Sequence, residues 1–157
     1  MVIFIKMKPI TRPINISFRV FNLQDVDAVL AIERLAYKSP WRKAQFIQSL
    51  NNPNMLAYLI LKDNQIVGYS ITLHTLEFTD LLNICIHPQY QHQGLGAQLF
   101  HHLLNTSNIK AVFIEVRMTN HKALLFYKKL GFKVINIRKK YYSDGEDAKI
   151  LYFSTGG

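Results

Sequence analysis

The amino-acid sequence predicts a mixed α/β fold, one sheet of seven strands with helices on both faces. Three observations carry this. Apolar positions switch several times between period two and helical spacing. Two consecutive strand, loop, helix units occupy the middle of the chain, and no repeat, low-complexity tract or Pro/Gly/Ser linker divides it. At 157 residues with 49% apolar content, the chain is sized for one domain with a substantial core.

The elements follow in order. A short strand near Phe18 to Val20 precedes Asp25, a helix-capping residue type, and Val26, Val29 and Leu30 then recur at i, i+3 and i+4. That helix ends before Pro40. A second helix from about Lys43 to Leu50 stops at Asn51-Asn52-Pro53, and Leu56 to Leu61 and Gln65 to His74 flank Asp63-Asn64 as a hairpin. Asp80 to His87 reads as a buried strand closed by Pro88, and Gly94-Leu95-Gly96 opens a helix with Leu95, Leu99 and Leu103 on one stripe. Ala111 to Val116 is rich in apolar and β-branched residues, Asn120 can cap the next helix, and Gly131 suits its left-handed C-terminal position. Phe132 to Arg138 and Lys149 to Phe153 are strands separated by Asp144-Gly145, completing the order β-α-α-β-β-β-α-β-α-β-β.

Charge narrows the partners. Nineteen Lys and Arg oppose ten Asp and Glu, a net +9, which points to an anionic partner: nucleic acid, an acidic membrane surface or a phosphorylated cofactor. No basic run exceeds Arg138-Lys139-Lys140, so the charge belongs to a folded surface. The single Cys85 excludes an intrachain disulfide and a cysteine-rich zinc site, and suits a reducing, cytoplasmic setting. The apolar opening, Met1 to Pro9, is broken by Lys6 and Lys8 and is too short to span a bilayer, so no membrane role is expected; Met7 is an alternative start.

The most informative segment runs from Leu82 to Ala97, an apolar strand entering Gln91-x-x-Gly94-x-Gly96 at a helix start. Glycines let backbone approach a ligand, and the first amides of a helix are unpaired donors at the positive end of its dipole. A pyrophosphate suits such a turn. The three-glycine dinucleotide fingerprint and the Gly-Lys-Ser/Thr P-loop are both missing.

This turn, together with Phe113-Ile-Glu-Val-Arg-Met-Thr-Asn-His-Lys-Ala-Leu-Leu-Phe-Tyr-Lys-Lys-Leu-Gly-Phe132, resembles the GNAT acyltransferase superfamily. Glu33 to Trp41, Asn83 to Pro88, Glu115-Val-Arg-x-x-Asn120 and Arg138 to Ala148 draw the resemblance closer to its RimI-type ribosomal-protein alanine N-acetyltransferases. It covers Ser17 to Tyr152, and implies one N-acetyltransferase domain over 17–154 with a mostly antiparallel seven-stranded sheet, an extension over 1–16 and a tail over 155–157.

The resemblance also implies roles. Acetyl-CoA would meet Ile84, Cys85 and Ile86 with its amides, Gln91, His92, Gln93, Gly94, Leu95, Gly96 and Ala97 with its pyrophosphate, and Asn120 besides. Glu115 corresponds to the general base and Tyr127 to the general acid, with the acetyl group moving directly to the α-amine of a protein N-terminus, alanine of a small-subunit ribosomal protein. Glu33, Tyr37, Trp41, Tyr141 and Tyr142 correspond to segments lining the peptide entrance. The chemistry asks for the same two groups. A carboxylate can deprotonate an α-ammonium of pKa about 7.7 to 8.0, and a tyrosine can protonate a departing thiolate of pKa about 8.5.

Plainer readings stand beside these. Glu115 could occupy the polar face of an edge strand, Tyr127 could be core, and Cys85, between Ile84 and Ile86, reads as an inert buried thiol. His101 and His102 point about 100° apart on a helix and do not form an i, i+4 metal pair, so no metal is expected. The acceptor could instead be a lysine side chain or a small-molecule amine. A non-catalytic acyl-CoA-binding regulator and an RNA-binding module are rivals from other classes. Neither accounts for Glu115 with Tyr127, and RNA contact is at most accessory.

Overall fold

The computed structural model describes residue 3 and residues 11–156. The opening segment and Met7 lie, residue 3 apart, outside the described residues.

Seven strands form one sheet in the order β1-β2-β3-β4-β5-β7-β6. They are β1 (Ile16–Val20), β2 (Met55–Lys62), β3 (Gln65–His74), β4 (Thr79–Ile86), β5 (Ala111–Arg117), β6 (Lys133–Arg138) and β7 (Ala148–Ser154). The helices are α1 (Val26–Ala36), α2 (Lys43–Leu50), α3 (Leu95–Thr106) and α4 (His121–Leu130). All the expected elements are present, and every pairing is antiparallel except β4 with β5. Asp63 and Asn64 both take positive φ, as the tight turn between β2 and β3 requires.

Alternation along the strands divides the core. Ile60, Ile84, Val112, Ile114 and Val116 face Leu95, Leu99, Phe100 and Leu103 of α3 and Tyr127 of α4. Leu59, Leu61, Tyr69, Ile71 and Cys85 face Val29, Ile32 and Phe46 of α1 and α2. Two apolar layers therefore cover opposite faces, as the mixed pattern anticipates.

Asp25 departs from its expected role. It makes no side-chain cap on α1. Its carboxylate instead accepts two bonds from Arg19, at 2.7 and 2.8 Å, and one from the Asn22 amide at 2.9 Å, tying the end of β1 to the start of the helix. A bidentate cation outcompetes the single cap amide for those oxygens.

One irregularity positions the site. The parallel pairing of β4 with β5 consists of Thr79 with Val112 and Asp80 with Phe113. Beyond Asp80 the two strands part, while β4 stays paired with β3 as far as Ile86 through a register shift at Leu82. A slot opens through the sheet.

Candidate active site

The backbone of β4 lines one edge of the slot. The His87 amide donates to Val67 O at 2.8 Å, on the β3 side, whereas Ile84 O accepts from the Tyr37 hydroxyl at 3.0 Å and Ile86 O from Gln91 Nε2 at 3.0 Å. Since the two peptide groups of a residue point the same way and alternate along a strand, the amides of Ile84 and Ile86 face the slot and that of Cys85 faces β3. Of the three residues expected to meet the amides of a cofactor, Ile84 and Ile86 are placed to do so through backbone. Cys85 is not. Its thiol is buried beside the Glu33 carboxylate, and burial first, then that charge, push it up to about 12, as an inert thiol requires.

Below the slot the turn into α3 is an array of donors. Gly94 takes φ +77° with open space where a Cβ would stand, and His92 also has positive φ. Among the described residues, the amides of His92, Gln93, Gly94, Leu95, Gly96 and Ala97 have no protein acceptor; the first that does is Gln98, to Gly94 O at 3.1 Å. Six unpaired donors in a row at the positive end of a twelve-residue helix fit a phosphate group. A Cβ on Gly96 would press on Phe126 of α4 at 3.0 Å, so that glycine lets the two helices approach. Gln91 holds the loop to β4 rather than facing the donors. Asn120 Oδ1 caps α4 by accepting from the Ala123 amide at 3.2 Å, leaving its NH2 for a ligand.

Lys62 was not singled out by sequence. It ends β2 and donates to Gln93 Oε1 at 3.1 Å, with its ammonium 5.3 Å from the centre of the Tyr90 ring, which brings a cation to the donor turn. No local pattern marks it, because a hairpin carries it there. Charge along the sequence agrees with an anion site: between Asp80 and Asp144 the chain contains one acidic residue, Glu115.

Glu115 lies on β5 between β4 and β7, so the edge-strand reading fails. With Val112, Ile114 and Val116 packed against α3 and α4, alternation turns Phe113, Glu115 and Arg117 to the opposite face. Arg138 Nη1 lies 2.7 Å from Glu115 Oε1, and the carboxylate is about one-third exposed. Asp80, half-buried, is raised by burial and then by the charge of Glu115. Tyr141 is raised by its contact with Glu115 before burial.

Tyr127 sits on the other face, 6% exposed, against Phe126 and Phe132. Its hydroxyl has no hydrogen-bond partner among the described residues. Ser70 Oγ is the sealed, unpartnered side-chain atom among them, so the Tyr127 hydroxyl reaches accessible space. Burial, followed by the nearby Cys85 thiol, raises it. Glu115 and Tyr127 thus flank the slot from opposite sides of the sheet.

The entrance residues divide. Glu33 is 1% exposed and does not line an entrance. Tyr37 reaches the slot edge and Trp41 packs at 5.3 Å on Phe46. Tyr141 and Tyr142 sit in the β6–β7 turn, where Arg117 stacks 3.9 Å over Tyr142 and bonds Asp144 and Glu146 at 2.8 Å each. Glu146 also accepts from the hydroxyl and amide of Thr119, and Asp147 from the Lys140 amide. These acids hold the turn. His102 stacks on Phe18 at 4.3 Å, and burial lowers it. Among the described residues no three His, Cys, Asp or Glu side chains gather as a metal site would need, and no helix is long and apolar enough to cross a membrane.

Comparison with known proteins places this geometry. Residues 26–132 match the acetyltransferase (GNAT) family. A Bacillus subtilis relative provisionally named a ribosomal protein bS18-alanine N-acetyltransferase is 37% identical over 141 residues, 87% of this chain and 93% of that one. The Escherichia coli ribosomal protein bS18-alanine N-acetyltransferase is 34% identical over 133 residues, 81% and 89% of the two chains. The crystal structure of the ribosomal-protein-S18-alanine N-acetyltransferase from Escherichia coli superposes with a TM-score of 0.81 at 30% identity, covering 91% of this chain and 97% of that one. Arabidopsis thaliana NAA60 in complex with acetyl-CoA shares the fold, with a TM-score of 0.78 at 14% identity over 91% and 100% of the two chains.

Proposed function

The chain belongs to the acetyltransferase (GNAT) family, and from that premise we propose that it moves an acetyl group from acetyl-CoA to the α-amine of a protein N-terminus, alanine of a small-subunit ribosomal protein. The observation that carries this reading is the slot itself, with a carboxylate on one face and a phenol on the other. Such a slot admits an acyl donor from the α3–α4 side and an amine from the Glu115 side, so acyl transfer needs no enzyme-bound intermediate.

Each group has a task. The six amides of 92–97 bind the pyrophosphate, with Lys62 and the NH2 of Asn120 as further donors. The slot-facing amides of Ile84 and Ile86 hold the pantetheine arm and the thioester oxygen, whose negative charge grows as the amine attacks. Glu115, directly or through a water, takes the proton from the ammonium so that the nitrogen lone pair can attack. Tyr127, whose raised proton affinity keeps it protonated, donates to the sulfur as the carbon–sulfur bond breaks, and the second proton that the nitrogen sheds on becoming an amide restores the phenol.

Acceptor class follows from amine chemistry and from the relatives' named substrate. An α-amine has a pKa about 2.6 units below that of lysine, so at neutral pH several hundredfold more of it is neutral. An unassisted carboxylate therefore favours it. Incubation with acetyl-CoA and an Ala-starting peptide that also contains lysine, read by mass spectrometry, tests this. Acetylation on the α-amine is expected. Preferential lysine labelling, or equal rates on free polyamines, overturns the N-terminal reading.

A further inference from the structure

We propose that Glu33 is a positioning residue that locks the α1–α2 loop to β4 and so sets the shape of the acceptor side of the slot. The proposal rests on the transferase reading for its kinetic consequence, but its structural content stands apart.

Glu33 lies in the last turn of α1, sealed from solvent. Its Oε1 accepts the Trp41 amide at 2.9 Å. Its Oε2 accepts the Tyr69 hydroxyl of β3 and Asn83 Nδ2 of β4 at 3.2 Å, and Asn83 Nδ2 also lies 3.3 Å from the Tyr69 oxygen. Every partner is a donor, which suits an ionised carboxylate. Among the described residues no Lys, Arg or His lies within ion-pair distance of it. A buried carboxylate without a cation is costly, and burial raises it despite the Trp41 and Asn83 bonds. Solubility and core packing gain nothing from such a charge.

What the carboxylate joins explains its place. Trp41 belongs to the loop between α1 and α2, and Tyr37, one turn beyond Glu33, opens that loop and bonds Ile84 O at the slot edge. Asn83 is the β4 residue immediately before Ile84. One anion therefore ties both ends of the loop to the strand whose next amide faces the slot. Burial and the charges of Cys85, Tyr127 and Glu33 raise Tyr37, so its hydroxyl stays a donor to Ile84 O. Loop, strand and slot edge move as one body.

The test separates this anchoring from general stability. Glu33→Asp keeps the charge but retracts it by one methylene, so the three donors cannot all be met. We expect the KM for an Ala-starting peptide to rise roughly tenfold, the loss of about one hydrogen bond. kcat should stay within a few fold and acetyl-CoA affinity within about twofold of wild type. Protection of the Trp41 amide from hydrogen exchange should fall. The double variant Glu33→Gln with Asn83→Asp moves the charge across their shared hydrogen bond, from position 33 to position 83, while preserving the donor–acceptor count, and should restore both KM and Trp41 protection. A folded Glu33→Asp with unchanged KM and unchanged Trp41 protection overturns the proposal, as does a double variant no better than the single one. If Glu33→Asp does not fold, Tyr69→Phe removes one of the donors that fix the carboxylate, and a peptide KM and a Trp41 protection both unchanged there overturn it equally. A wild-type protein that leaves Ala-starting peptides unmodified would refute the transferase reading, while the Trp41 exchange would still decide the anchor.

Discussion

Arg138 reaches across β7 to Glu115, its Nη1 2.7 Å from Oε1, while on the intervening strand Ala148 pairs with both Arg138 and Arg117 and Ile150 pairs with Glu115. The pair is partly exposed on both sides, so it contributes at most about 1 kcal/mol to stability and acts chiefly by orienting the carboxylate. Glu115→Gln should therefore fold and bind acetyl-CoA as wild type does, and lose roughly 10²–10⁴ in kcat. Arg138→Gln removes the holder but not the base, and should cost less than about tenfold with little change in Tm. Steady-state rates for the two variants check the ordering. Near-normal turnover of Glu115→Gln at pH 7 would assign deprotonation to another group.

The phosphate turn makes a separate prediction. Gly94 has a left-handed backbone and open space beyond it, among six amides without acceptors in the described residues. A glutamate there would point negative charge at the anion site and pay the left-handed penalty of about 1–2 kcal/mol. Acetyl-CoA should raise the Tm of wild type in proportion to its saturation and leave that of Gly94→Glu unmoved. A folded variant that keeps the full shift would show that the anion binds elsewhere.

How much of this was legible in sequence depends on distance along the chain. Gly94, Gly96 and the strand before them lie within one local segment, so their spacing reveals both turn and ligand class. Glu115 is legible as a residue type, but its face is not, because that depends on which strands flank β5 and on the apolar layer over Val112 and Ile114. Lys62 is brought to Gln93 by a hairpin, and Arg138 to Glu115 over an intervening strand; neither contact has a sequence period. Glu33 shows the opposite error. Its place in a familiar stretch suggests a substrate contact, whereas its burial makes it an anchor, and burial of a single polar residue leaves no local trace.

Acid should loosen the β6–β7 turn before it unfolds the domain. Glu146 is held down to about 2 by the Thr119 hydroxyl, then Arg117 and the Thr119 amide, and Asp147 is lowered chiefly by the Lys140 amide. A carboxylate whose folded pKa lies below its unfolded one contributes stability above the unfolded value, here 4.5 for Glu146, and that contribution is lost as pH falls from 4.5 towards 2. Protection factors of the Thr119 and Lys140 amides should drop over that window while those of β3 hold. A turn as protected at pH 2.5 as at pH 6 would mean that these acids do not fasten it.

Tyr127 allows packing and chemistry to be separated at one side chain. Its ring is enclosed by Phe126 and Phe132, so replacing it with phenylalanine retains almost all of the buried apolar contact. The hydroxyl has no partner to lose among the described residues, and removing such a group leaves no orphaned donor or acceptor behind. Tyr127→Phe should accordingly match or slightly exceed the wild-type Tm. Turnover should fall about 10²-fold, the lower end of what a positioned acid supplies, because the leaving sulfur would then depart without a proton donor. The loss should be smaller for an acyl donor whose thiol is more acidic than that of CoA, since its thiolate needs less help. Measuring Tm and kcat for acetyl-CoA and such a thioester side by side tests this. Equal losses on both donors would place the hydroxyl in ground-state binding, and unchanged turnover would return Tyr127 to the core alone.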